Sequence, residues 1–144
     1  MMSQVVKAST RLLFPLLLVY GIYVILNGHL TPGGGFQGGV IVGTAFMLFA
    51  LASGHSKISS LYNEAKLSLG ESVGSISYLL IGASGIALGG AFLFNWMPKG
   101  GLGELLSAGF MLPLNIAIGL KVAAGVFTIV LMMLALNWEE DRID

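Results

Sequence analysis

Residues 12–56 read LLFPLLLVYGIYVILNGHLTPGGGFQGGVIVGTAFMLFALASGHS, and this stretch contains no Asp, Glu, Lys or Arg. A helix needs roughly 20 apolar residues to cross about 30 Å of hydrocarbon, so a run of 45 uncharged positions holds two membrane spans. The segment TPGGGFQGG at 31–39 separates them, because proline lacks an amide N–H and disfavours helix in the residue before it. We therefore predict a span over 12–28, a tight glycine-rich turn and a second span over 36–53.

The rest of the chain supplies two further apolar stretches. The uncharged run 72–98 predicts a third helix over 73–97, and the stretch 113–138, interrupted only by Lys121, predicts a fourth. Across all 144 residues only 10% are charged, 56% are apolar and the mean hydropathy is +0.89. Soluble domains carry charge on about a quarter of their residues. The sequence therefore predicts an all-α integral membrane protein with a single membrane domain, 1–144, of four transmembrane helices.

Composition also excludes several classes of function. Seven basic and seven acidic residues give a formal net charge of zero, which excludes the basic surface of a nucleic-acid-binding protein. The absence of cysteine excludes disulfides, iron–sulfur clusters and thiolate zinc sites within this chain. His29 and His55 are expected on opposite faces of the membrane, so one metal site cannot use both. We expect no metal, no other cofactor and no nucleic-acid partner.

Basic residues predict the orientation of the spans. Cytoplasmic loops carry an excess of Lys and Arg. Five basic residues fall on one side of the four predicted helices, and one falls on the other. The five are Lys7, Arg11, Lys57, Lys66 and Arg142, and the one is Lys99. We expect a multi-pass protein of the cell membrane with both termini in the cytoplasm.

The glycines of segment 31–39 match a nucleotide-binding pattern by spacing alone. Gly33, Gly35 and Gly38 fit G-x-G-x-x-G, but that fingerprint needs a preceding strand and an acidic residue about 20 positions later. Here a membrane helix precedes the glycines, and the next acidic residue, Glu64, lies 26 positions after Gly38. Nucleotide binding is therefore rejected.

A structural role for the same glycines is the favoured interpretation. Glycine adopts positive φ without the cost of a Cβ, so the segment can turn sharply after Pro32. Glycine then recurs every four residues, which gives the second helix a smooth ridge where another backbone can approach closely. The residues of the turn and of this ridge are Pro32, Gly33, Gly34, Gly35, Phe36, Gly38, Gly39 and Gly43, and Gly119 begins a similar ridge on the fourth helix. Coordination of an ion by exposed turn carbonyls remains an alternative.

Lys121 is the least ordinary residue of the predicted spans. It lies eight residues past Pro113, or about 12 Å along a helix, and ionisable residues at such depth usually face a partner and mark a functional path. A lysine that only extends its ammonium to the interface is the competing interpretation. Glu104, or an acid of another subunit, is the expected partner, and Asn115 and His29 are further candidates for an ion path.

Two stretches resemble a known family. GHLTPGGGFQGG at 28–39 resembles the Asn/His-x-Pro-Gly-Gly-Gly-Phe-x-Gly-Gly signature of the B-type subunits of Mrp-type multisubunit sodium/proton antiporters, and NIAIGLKV at 115–122 resembles the family's other distinctive stretch. Related antiporter modules occur in membrane-bound hydrogenase and sulfur-reductase complexes. The resemblance covers essentially the whole chain. It implies a subunit without its own catalytic centre, which works with other membrane subunits, sodium, protons and lipid.

Three functions are compatible with these patterns. The leading one is an accessory subunit that helps to form or support an ion-translocation path, with glycine ridges that dock partner helices and Lys121 acting electrostatically. The second is a purely structural scaffold subunit of a respiratory-type hydrogenase or sulfur-reductase complex. The third is a small transporter that assembles from copies of this chain alone.

Overall fold

The computed structural model describes residues 4–30, 32–53, 64–98, 100–101 and 107–140. The regular secondary structure of this part of the chain consists of four α-helices. They are α1 (Gln4–Leu26), α2 (Gly34–Ser53), α3 (Glu64–Ala87) and α4 (Met111–Glu140). Within the described ranges, three segments are long and apolar enough to cross a membrane: Gln4–Leu26, Gly34–Ser53 and Met111–Leu134.

The helix α2 packs against both α1 and α4, which also contact each other, and α3 packs against another side of α4. Contacts between phenylalanine rings connect α1, α2 and α4. The Phe14 ring of α1 lies 5.6 Å from the Phe46 ring of α2, which lies 5.7 Å from the Phe127 ring of α4. Ala50 and Leu131 are fully buried. Leu67, Phe127 and Leu134 pack against that pair, so α2, α3 and α4 meet there.

The connection between α1 and α2 contains turns at 27–30 and 32–33. Gly33 and Gly34 have φ angles of 132° and 62°, in the region that L side chains rarely adopt. The helix α2 starts at Gly34, two residues before the expected start of the second span. Glycine at these two positions therefore permits the positive φ angles with which the chain enters α2.

The third helix differs from its expected range of 73–97, since α3 starts at Glu64 and ends at Ala87. Its end is a Schellman motif. Gly89 has a φ of 84°, its N–H donates to Ile86 O at 3.0 Å, and the N–H of Gly90 donates to Gly85 O at 3.0 Å. These bonds satisfy carbonyls that the last helical turn leaves open. The apolar residues after Ala87 consequently leave the helix.

The segment after α3 folds back along the helix that it leaves. Leu93 N–H donates to Gly82 O at 3.2 Å, and Trp96 Nε1 donates to Ser84 Oγ at 3.0 Å. A Cβ at Gly85 would lie 2.7 Å from the Phe94 backbone nitrogen. The surface of α3 at Gly85 is therefore covered by the returning chain.

Asn95 links this returning segment to the start of α4. Its Nδ2 donates to Ala108 O at 3.0 Å, and its Oδ1 accepts from Phe110 N–H at 3.4 Å. Gly109, between these partners, has a φ of 63°. Pro113 lies in the first turn of α4, where its missing N–H costs no helical hydrogen bond.

Candidate functional site

The glycine ridge of α2 packs against α4 of the same chain. A Cβ at Gly39 would lie 2.7 Å from Gly119 O, and a Cβ at Gly43 would lie 3.0 Å from Ala123 O. One turn earlier, Gly35 faces the Asn115 backbone, again too closely for a side chain. Within this chain the ridge is therefore occupied by α4, whereas the sequence suggested that it would dock a helix of a partner subunit.

The opposite side of α2 uses glycine in the same way against α1. A Cβ at Gly38 would lie 2.8 Å from Gly21 O, and a Cβ at Gly21 would lie 3.2 Å from Gly38 O. Small residues let helix backbones approach in lipid, where a hydrophobic driving force between helices is absent. Glycines on both sides of α2 thus hold α1, α2 and α4 together.

Asn115 lies where α4 meets the connection between α1 and α2. A Cβ at Gly28 would lie 2.8 Å from Asn115 Nδ2, and a Cβ at Gly34 would lie 3.4 Å from Asn115 Oδ1. His29, in the same connection, is partly buried. The two stretches that carry the family resemblance, 28–39 and 115–122, are therefore in direct contact.

Lys121 lies on a different side of α4, facing α3. A Cβ at Gly74 would lie 2.8 Å from Lys121 Cβ. Lys121, Ser75 and Tyr78 line a groove of about 420 Å³ between α3 and α4, which we call the α3–α4 groove. Lys121 is exposed in this single chain.

Glu71 is a candidate residue that the sequence interpretation missed. It precedes the expected start of the third helix by two positions, but α3 begins seven residues before it. A Cβ at Gly125 would lie 2.7 Å from Glu71 Oε1, so the carboxylate reaches α4 one turn after Lys121. The only available signal was the glycine pair Gly70 and Gly74, whose spacing of four indicates that a helix surface continues past Glu71.

The depth of these two side chains follows from α4. Lys121 comes ten residues after Met111, or roughly 15 Å along the helix, and Gly125 is about 6 Å further. The described apolar part of α4 reaches Leu134, nine residues after Gly125. Lys121 therefore lies near the middle of the apolar helix α4, and the Glu71 carboxylate lies against the same part of that helix. A charge at this depth is costly unless it contacts a partner or water.

The other candidates do not join this groove. Asn115 is six residues before Lys121, which places it about 9 Å away along the axis and roughly 120° away around α4. Pro32 and Phe36 are exposed at the α1–α2 connection, and Glu104 lies outside the described residues. No group of three or more His, Cys, Asp or Glu residues in the described ranges could hold a metal ion.

Lys121 and Glu71 bring a base and an acid to the facing sides of α4 and α3, with Lys121 in the lining of the α3–α4 groove and Glu71 against α4 one turn further along. Glu71 supplies a carboxylate that binds a cation or a proton, and Lys121 supplies an ammonium that repels a cation. Ser75 and Tyr78 add hydroxyl groups, although Ser75 Oγ donates to Glu71 O at 2.8 Å. Such a groove can change the local electrostatic field when one group changes its charge.

Sequence comparison identifies a family for most of the chain. The profile of a family described as "Domain related to MnhB subunit of Na+/H+ antiporter" matches residues 5–128. A Staphylococcus haemolyticus protein named as an antiporter subunit, mnhB2, is 36% identical over 92 residues, which cover 63% of this chain and 64% of that protein. An uncharacterized Methanocaldococcus jannaschii protein is 42% identical over 120 residues, covering 78% of this chain and 45% of that protein.

A solved structure is also similar. It is described as the membrane-bound sulfane sulfur reductase (MBS), an archaeal respiratory membrane complex, and one of its chains matches with a TM-score of 0.73 and 35% identity. The match covers 89% of this chain and 56% of that chain. This chain thus spans about half the length of two of these three proteins. Because the family profile covers far more than half of the sequence, the chain belongs to the family of domains related to the MnhB subunit of Na+/H+ antiporters.

Proposed function

We propose that this chain is a non-redox membrane subunit of a multisubunit sodium/proton antiporter or antiporter module, and that its α3–α4 groove supports the ion-translocation path. The observation that carries the proposal is the placement of Glu71 and Lys121 beside the middle of an apolar helix. Ionisable residues at such depth commonly mark ion pathways. Membership of the MnhB-related family supports the same function.

The groove acts electrostatically in this proposal. Gly125, which meets the Glu71 carboxylate, lies one helical turn from Lys121, or about 6 Å along α4. In a region of low dielectric, charges at such separations interact much more strongly than they do in water. Binding of a proton or sodium ion near Glu71 therefore alters the field around Lys121, and through it the ease with which a cation passes a neighbouring subunit.

In this proposal the acidic partner of Lys121 is Glu71. Glu104 and an acid of another subunit were the expected partners, whereas Glu71 is supplied by the adjacent helix of the same chain. Lys121 remains exposed in the single chain, so a neighbouring subunit can still contact the groove. The partners of this function are other membrane subunits and lipid, with sodium and protons as transported ions and both termini in the cytoplasm.

The test is sodium/proton exchange in vesicles that contain the whole complex. We expect Lys121→Ala to assemble and to lose about tenfold or more of the exchange rate, whereas Lys121→Arg keeps part of it because the charge remains. Lys66→Ala is the control, since it removes a lysine from the first turn of α3. Full exchange in an assembled Lys121→Ala complex would leave a scaffold function instead.

The similarity to a chain of a sulfur-reductase complex favours one variant of this function. The same non-redox subunit would then serve an antiporter module whose driving force comes from redox chemistry in other subunits. Proteins that copurify with the chain distinguish the parent complexes. A reductase or hydrogenase partner would identify a respiratory complex, antiporter subunits alone would identify a stand-alone antiporter, and a homo-oligomer would contradict the proposal.

A further inference from the structure

A second polar cavity lies between the start of α1 and the end of α2, away from the α3–α4 groove. It has a volume of about 390 Å³ and is lined on its polar side by Lys7, Thr10, Arg11 and Ser53. Phe14 and Phe49 form its apolar side, with ring centroids 5.1 Å apart. The lining contains two cations and no acidic side chain among the described residues.

Thr10 gives this cavity an unusual feature. Its side chain is only 4% exposed, and its hydroxyl oxygen is buried without a hydrogen-bond partner among the described residues. Buried hydroxyl groups in native proteins are nearly always hydrogen-bonded, because a buried hydroxyl loses its bonds to water and gains nothing in exchange. An unsatisfied donor on a residue that lines the same cavity as two basic side chains therefore points to an anionic ligand that accepts its hydrogen bond.

The residues that line the cavity lie at the ends of apolar segments, and this position indicates the kind of anion. Arg11 is the last charged residue before the uncharged run 12–56, and Ser53 is the last residue of the apolar helix α2. The cavity therefore lies at the boundary between polar and apolar surroundings, which is the depth of lipid headgroups. Its basic side suits a phosphate, and its phenylalanine side suits the first carbons of acyl or alkyl chains.

We propose that Lys7, Thr10, Arg11 and Ser53 form a binding site for the phosphate group of an anionic phospholipid. Lys7 and Arg11 neutralise the phosphate, and the hydroxyl groups of Thr10 and Ser53 donate hydrogen bonds to its oxygens. Phe14 and Phe49 contact the apolar part of the lipid. The bound lipid joins the first turns of α1 to the last turn of α2, and this role is independent of the ion path.

The test uses the full chain, purified from membranes with the subunits that accompany it. Native mass spectrometry counts phosphatidylglycerol bound after exchange into neutral detergent, and thermal unfolding is followed in vesicles of phosphatidylcholine with or without phosphatidylglycerol. A parallel sample receives inorganic phosphate in phosphatidylcholine vesicles. Stabilisation by phosphatidylglycerol alone assigns the site to lipid, whereas equal stabilisation by inorganic phosphate assigns the same site to a soluble phosphate.

The variants test the residues of the site. Removing Lys7 and Arg11 by Lys7→Gln and Arg11→Gln weakens retention of phosphatidylglycerol by about fivefold for each charge. Thr10→Val keeps the shape, removes the hydroxyl and weakens retention by about tenfold. The control is Lys121→Gln, which removes one positive charge from the α3–α4 groove, outside the lining of this cavity, and leaves retention unchanged.

Thermal unfolding in phosphatidylcholine alone shows that the variants are folded. In phosphatidylcholine the site is empty, and the Thr10 hydroxyl without a partner destabilises the wild type. Thr10→Val therefore unfolds at the same temperature as the wild type or at a higher one. In vesicles with phosphatidylglycerol, Thr10→Val unfolds at a lower temperature than the wild type. Retention of phosphatidylglycerol in all variants at the wild-type level, or no stabilisation by either phosphatidylglycerol or inorganic phosphate, would overturn the proposal.

Discussion

Gly39 illustrates how single residues hold this protein together. A methyl group there would lie 2.7 Å from the carbonyl oxygen of Gly119, which belongs to the backbone of α4 and cannot move without moving that helix. The same group at Gly70 would lie 3.3 Å from Ala124 Cβ, close to ordinary contact. Both glycines lie inside helices, so alanine brings each the same gain in helix propensity, about 1 kcal/mol.

We therefore expect different outcomes for two matched substitutions. Gly39→Ala should lower the free energy of unfolding by about 1–3 kcal/mol, because overpacking forces two backbones apart. Gly70→Ala should change it by less than about 1 kcal/mol in either direction. Thermal unfolding in one lipid mixture measures both variants. A Gly39→Ala protein as stable as Gly70→Ala would contradict the close approach of α2 and α4.

For single residues, the sequence predicted that the glycines pack closely against a helix, but it did not predict which helix. Spacing of four identified Gly35, Gly39 and Gly43 as one helix surface, but such a pattern contains no information about which helix covers it. Glu71 was missed for a related reason. Its contact with Gly125 joins residues 54 positions apart, and such a contact depends on how α3 and α4 pack.

Helix ends belong to the next scale, and the end of α3 is the clearest case. Gly89 has a φ of 84°, and a Cβ added there would meet nothing within 4 Å. A substitution at this position consequently tests backbone conformation without steric contact. Gly89→Ala should lower the free energy of unfolding by about 1 kcal/mol, because a residue with a Cβ disfavours the left-handed region.

Asparagine provides the matched control for this helix end. It tolerates the left-handed conformation better than alanine, so Gly89→Asn should be more stable than Gly89→Ala, as thermal unfolding would measure. Equal stability of the two variants would contradict the Schellman motif at Gly89.

The elements were predicted unevenly, and the reason lies in their ends. The glycine-rich segment after Pro32 placed the start of α2 within two residues, because proline interrupts a helix. The helix α1 begins at Gln4, eight residues before the expected span, because it continues through the charged residues Lys7 and Arg11. The prediction extended the third helix to residue 97 because it relied on apolar composition. Phe92, Phe94 and Trp96, in the segment that folds back, are as apolar as the residues of a membrane-spanning helix. The pair Gly89 and Gly90 was the local signal for its end.

For the whole molecule, the depth of α3 decides the number of membrane spans. Its hydropathy does not identify it as a span, but Gly70 and Gly74 contact Ala124 and Lys121, which lie within the apolar part of α4. A helix packed along the middle of a span shares its depth. We therefore expect α3 to cross, which gives an even number of spans.

Single cysteines test this topology without background, because the chain has no cysteine of its own. Ser3→Cys and Asp144→Cys should react with a membrane-impermeant reagent only from the cytoplasmic side, and Gly101→Cys only from the outside. Reaction of the two terminal cysteines from opposite sides would mean that α3 does not cross.

The most direct test of the whole account is a double-mutant cycle on Glu71 and Lys121 in vesicles that contain the assembled complex. Each single variant, Glu71→Gln and Lys121→Ala, should lower sodium/proton exchange about tenfold, which corresponds to roughly 1.4 kcal/mol. Glu139→Gln, beyond the apolar part of α4, is the carboxylate control. The double variant should lose little more than either single one, because the two groups act as a pair. Unchanged exchange in the single variants, or a loss of about a hundredfold in the double variant, would contradict a coupled pair of Glu71 and Lys121 between α3 and α4.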